Sequence, residues 1–102
     1  MRKIQVSDYF IIQDGKELPY PMREALAEVI FHPDLKLRAL DLLKRDDLAR
    51  KILDHSDSHI LLEDSEYDLI KSAVNVVQGF VRNDVEFVRR VLDAESVEVV
   101  EK

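Results

Sequence analysis

His55 and His59, four residues apart with Asp54 and Asp57 beside them, are the chain's nearest approach to a metal-ligating set. Imidazoles at that spacing share one face of a helix and suit zinc. Ser56, Asp57 and Ser58 oppose a helix there, however, and no second ligand group occurs elsewhere in the sequence. The expectation is a solvated loop without a metal. His32, directly before Pro33, is expected to be a polar residue that ends a helix. Carboxylates are plentiful, with Glu63 beside Asp64 and Glu66 near Asp68, but general acid–base catalysis needs convergence as well as residue type. With two glycines in all, no phosphate-cradling loop and no serine in a nucleophile elbow, the sequence offers no catalytic residues and implies no cofactor.

The basic side chains form a second candidate group. Residues 36 to 51 hold six Lys or Arg against three Asp, whereas residues 54 to 68 hold six Asp or Glu and no Lys or Arg. Helical patterns over about 34–44 and from Asp46 or Asp47 to His55 give the first stretch the size of a helix-turn-helix, with Lys44, Arg45, Arg50 and Lys51 as its nucleic-acid contacts. Against that reading, Asp46 and Asp47 sit where phosphates would approach, and the net charge is -6. Nucleic-acid binding is therefore the alternative reading.

The 102 residues suit one domain, 1–102, with one core. A hydrophobic share of 46% beside 35% charged residues indicates an ordered chain, and the absence of cysteine excludes disulfides and thiolate metal sites. No apolar run approaches the roughly 20 residues that span a bilayer, and the first residues lack the apolar stretch of a secretory signal. A soluble, cytoplasmic protein with no membrane partner is expected.

Elements follow from turn chemistry and periodicity. Asp14-Gly15 supplies the positive φ angles of a tight primed turn, so Lys3 to Ile12 and Lys16 to Tyr20 are expected to form an antiparallel hairpin. Pro21 opens a helix over 21–31, and His32-Pro33 ends it. After the two helices already described, His59 to Leu62 reads as a short extended piece. Asp64 or Ser65 caps a helix whose apolar face is Tyr67, Ile70, Ala73, Val74 and Val77, with Gly79 at its end. Asn83 or Asp84 caps a last helix, and Ser96 to Val100 could add a third strand to the hairpin. The fold class is α+β: a short antiparallel sheet packed on four to five short helices.

Apolar residues exceed what these faces need. Tyr9, Phe10, Ile11 and Ile12 are consecutive, so a strand sends two to each face, while Leu69, Val76 and Phe87 widen helical stripes. The expected interface comprises Tyr9, Phe10, Ile12, Leu69, Val76 and Phe87. It would bury apolar surface against a protein partner or a second copy, with the acidic and basic stretches orienting the two.

The order of the Asp14-Gly15 hairpin, the Pro21-led helix, Leu61-Leu62-Glu63-Asp64-Ser65-Glu66-Tyr67 entering a helix, and Gly79-Phe80 before Asn83-Asp84 resembles small accessory proteins of tailed-phage or prophage gene clusters. The resemblance spans most of the chain and carries no binding residues over. It implies an oligomeric virion-assembly or structural accessory role. The function expected is non-catalytic protein interaction.

Overall fold

A computed structural model of the chain describes residues 1–98. The elements run β1 (Arg2–Gln5), β2 (Tyr9–Gln13), β3 (Lys16–Tyr20), α1 (Met22–Val29), a 3-10 turn (Pro33–Leu35), α2 (Ala39–Leu53), β4 (His59–Leu62), α3 (Asp64–Val76), a second 3-10 turn (Arg82–Asp84), α4 (Val85–Leu92) and β5 (Glu95–Ser96). The class is α+β, as the sequence predicts. The strands form two separate antiparallel sheets, one ordered β4-β1-β5 and the other the β2-β3 hairpin.

Asp14 and Gly15 both have positive φ, 54° and 75°, as a primed two-residue turn requires. Tyr9 faces Tyr20 and Gln13 faces Lys16 across the ladder. The first strand is nevertheless not continuous from Lys3 to Ile12. It breaks at Val6-Ser7-Asp8, where the amides of Val6 and Ser7 both donate to Ser58 O (2.7 and 3.3 Å) instead of to a neighbouring strand. Val6 is buried, and the short polar pair Ser7-Asp8 lets the chain turn out of one sheet and into the other. Asp8 then accepts from the Met22 amide (3.2 Å), so a distant carboxylate caps α1, whose own preceding residue Pro21 has no side chain able to do so.

Three further expectations need correction. The helices expected over 34–44 and 46–55 are one helix, α2. Asp46 does not cap a new helix but pairs with Arg50 one turn on (2.9 Å), and no Gly or Pro interrupts 39–53. Residues 36–38 are not helical, because Lys36 adopts φ 51° and ends the first 3-10 turn. The C-terminal strand pairs with β1, Arg2 opposite Ser96 and Lys3 opposite Glu95, and not with the hairpin. Val97 extends this pairing by donating to Met1 O (2.7 Å), and Val99 and Val100 lie outside the described residues.

One apolar core unites the body. Ile4 and Val6 from β1, Ile60 and Leu62 from β4, Met22, Leu26 and Ile30 from the α1 region, Ile52 from α2, Ile70 from α3, and Phe87 and Val91 from α4 are all fully or almost fully buried. Alternation explains the sheet: Ile60 and Leu62 point inward while His59 and Leu61 face out. The β2-β3 hairpin adds only Tyr9 and Tyr20, at its base, to this core.

Candidate interaction site

The base of the hairpin is the best-defined polar constellation on the molecule. Tyr9 and Tyr20, opposite each other in the ladder, stack with centroids 4.5 Å apart and planes 13° from parallel, and Tyr20 leans on Phe87 at 6.2 Å. The Tyr9 hydroxyl donates to Asn83 O (2.8 Å) and accepts from the Phe87 amide (3.2 Å); the Tyr20 hydroxyl donates to Asp84 Oδ1 (2.7 Å). Asp84 Oδ2 also accepts from the Val81 amide (2.9 Å), which fixes the carboxylate at the entrance to α4. Arg90 completes the anchor. Its guanidinium donates to Ser7 O (2.6 Å) and Glu86 Oε1 (3.2 Å) and lies 5.0 Å from the Tyr9 ring centroid.

Burial raises the pKa of both phenols above the ordinary tyrosine value, and the Asp84 carboxylate adds to the rise at Tyr20. An unfolded tyrosine ionises near pH 10, so above that pH the unfolded state releases protons that the folded state retains. The stability from this anchor is thus complete below about pH 10 and is lost as pH rises beyond it. Alkaline unfolding, followed by circular dichroism and tyrosinate absorbance together, is expected to begin above that pH. Tyr20→Phe should move its midpoint upward; an unmoved midpoint would show that the Tyr20 phenol is not responsible.

Beyond this base the hairpin is an arm. Phe10 and Ile12, two residues apart and so on one face, are 66% and 77% exposed, and Leu18 is exposed on the other face. Of the six residues expected at an interface, Phe10, Ile12 and Val76 are on the surface. Phe87 is not, being 1% exposed in the core beneath Tyr20, because α4 turns its 87/91 face inward. Tyr9 is half-buried in the anchor, and Leu69 is half-buried against the core. The six do not form one patch.

A second apolar surface runs along α4 and the turn before it. Val81, in extended backbone before the 3-10 turn, and Val85 and Leu92 of α4 are exposed, Val81 by 63% and Val85 by 48%, while Val88 between them is partly buried against the core. They line an open groove of about 480 Å³ together with Phe80. The sequence suggests Val85, Val88, Val91 and Leu92 as the apolar stripe of this helix with Phe87 outside it; in the structure Phe87 and Val91 form the buried face, Val88 packs at its border, and Val85 and Leu92 are exposed.

The four basic candidates do not form a cationic face. Arg50 pairs with Asp46, Lys51 pairs with Glu66 (2.7 Å), and Arg45 is half-buried with Nε and Nη1 shielded from solvent and unpartnered; Lys44 is exposed. The Lys51–Glu66 contact also joins the basic and acidic stretches within one chain. In the loop expected to be solvated, His55 Nε2 lies 2.6 Å from His59 O and His59 Nδ1 lies 3.0 Å from Ser58 Oγ. Arg23 of α1 ties that loop down by donating to His55 O (2.8 Å) and Asp57 O (2.7 Å). Among the described residues, no group of three or more His, Cys, Asp or Glu is arranged to hold a metal ion. His32 caps the first 3-10 turn, its Nδ1 accepting from the Asp34 amide (3.1 Å).

No family model, curated protein or solved structure matches the chain. No helix among the described residues is long and apolar enough to cross a membrane.

Proposed function

We propose that the chain is a non-catalytic protein-interaction module whose contact surface is the β2-β3 arm. The exposure of Phe10 and Ile12 on one face of a hairpin held only at its base supports this reading. Each such side chain gains about 1.5–3 kcal/mol when a partner buries it fully. The rigid two-tyrosine base limits the entropy that ordering the arm on binding would otherwise cost. An accessory role in tailed-phage or prophage assembly, implied by the resemblance of its turns and caps, is compatible with such an arm and is proposed on that footing alone. A single helix over Ala39–Leu53 does not supply the two-helix geometry that nucleic-acid binding through residues 36–51 needs.

The test is site-specific photo-crosslinking in the cell of origin, with the probe at Ile12 or at the exposed control Lys71. A discrete adduct from Ile12 and none from Lys71 is expected. Phe10→Ser combined with Ile12→Ser should abolish binding of the crosslinked partner while leaving the thermal transition in place, because neither side chain supports the core. Equal labelling from both probe positions would remove the arm as the contact surface.

A further inference from the structure

Asp14 is the only acidic residue in the chain that is followed by glycine, and the pair forms the tip of the β2-β3 arm. Ladder pairing ends at Gln13 and Lys16, so the Gly15 amide lies outside it. Both turn residues are exposed, and nothing stands within 4 Å of where a Gly15 Cβ would point. Asp14 holds φ 54°, a left-handed conformation that is strained for a residue with a Cβ, and the arm joins the core only at its base. The tip is therefore the part of the arm that opens most readily. We propose that Asp14-Gly15 is a self-modification site, at which the aspartate converts to isoaspartate and disables the arm without unfolding the body.

The only co-reactant is water. When the turn opens, the Gly15 nitrogen attacks the side-chain carboxyl carbon Cγ of Asp14. The N–Cγ bond forms, the Cγ–OH bond breaks, and the hydroxyl leaves as water with the amide proton, giving a cyclic imide. Glycine lacks the side chain that would hinder this closure. Water then adds to one of the imide carbonyl carbons and breaks its bond to nitrogen. Addition at Cγ restores aspartate, whereas addition at the former backbone carbonyl leaves the chain running through Cβ and Cγ, with the α-carboxylate as a branch. The isoaspartyl link is longer by one backbone atom, so the two-residue turn no longer holds Gln13 and Lys16 in register. The loss spreads from the tip past Ile12 and Phe10 and stops at the Tyr9–Tyr20 stack, which is anchored on the entrance to α4. Asp57-Ser58 is the internal comparison. It is exposed as well, but Ser58 carries a side chain and Arg23 donates to the Asp57 carbonyl at 2.7 Å.

The chemistry is independent of the interaction reading, and only its effect on binding rests on that reading. The test holds the full chain at physiological pH and temperature in water enriched in heavy oxygen, with sampling over weeks by peptide mass spectrometry. Heavy oxygen should enter at Asp14 several-fold faster than at Asp57, and a protease that cuts before aspartate but not isoaspartate should progressively fail to cut at position 14. Aged protein should lose amide-exchange protection in β2 and β3, and the Ile12 crosslink, in proportion to its isoaspartate content, while the thermal transition of the body stays in place. Asp14→Asn and Asp14→Gly both keep a turn that accepts positive φ. The first should reach isoaspartate sooner, losing ammonia in place of water, and the second should keep its arm on ageing. Labelling at Asp14 no faster than at Asp57 would overturn the site. Isoaspartate at 14 with β2 and β3 still protected would overturn its effect on the arm. If Ile12 gives no crosslink even in fresh protein, the interaction reading fails, and labelling with amide exchange still decides the modification.

Discussion

Phe87→Ala is expected to cost about 3–5 kcal/mol, the largest effect of any single substitution proposed for this protein. Phe87 is 1% exposed and touches the hairpin base through Tyr20, the loop after α3 through Phe80, and the rest of the core through α4. Truncation removes a ring's worth of apolar contact and leaves a cavity that rigid neighbours fill only in part. Domains of this size are stable by about 5–15 kcal/mol, so the variant should sit at the edge of folding. Urea titration checks the magnitude. A loss below about 1 kcal/mol would mean that the ring lies in a site able to collapse around the smaller side chain.

Arg90→Met is expected to cost about 2–3 kcal/mol and to act on the arm more than on the body. The side chain is 10% exposed and joins three things at once: the Ser7 carbonyl at the break between the two sheets, the Glu86 carboxylate one turn back on α4, and the Tyr9 ring. Methionine keeps the aliphatic volume and removes the charged donors. Lysine should not rescue, because a single ammonium cannot reach both acceptors while lying over the ring. Amide hydrogen exchange distinguishes the mechanisms: protection in β2 and β3 should fall well before protection in β1 and β4. A uniform loss would place Arg90 in the global core and not at the arm.

What could be read from the sequence was what local chemistry determines. Asp14-Gly15 specified its turn because few residues accept two successive positive φ angles, and Lys16–Tyr20 follows at once as the returning strand. His59–Leu62 is the short extended piece its residues suggest, and α3 begins at Asp64, but its cap is Glu63, one residue before the expected Asp64 or Ser65. Errors arose where distant residues decide. Nothing near Ser7 shows that Ser58 will take its amide, so the apolar run through Ile12 read as one strand. Asp46 has the chemistry of a cap, but a helix with no Gly or Pro continues through it and uses it as an ion-pair partner. The exposed face of the arm was legible in Phe10 and Ile12, whereas the inward turn of Phe87 depended on which α4 stripe the core would cover.

The order of the first sheet has a consequence for biosynthesis. β1, its central strand, is translated first, while its neighbours β4 and β5 come from residues 59–62 and 95–96. At ribosomal speeds about 5–20 s separate the emergence of β1 from that of β5. Throughout that interval at least one hydrogen-bonding edge of β1 is open on the nascent chain, beside the apolar side chains of Ile4 and Val6. The Tyr9–Tyr20 hairpin can close long before. Its final anchor, Asn83 to Arg90, precedes β5 by only a few residues, so the arm and the sheet reach their native partners at nearly the same point of synthesis.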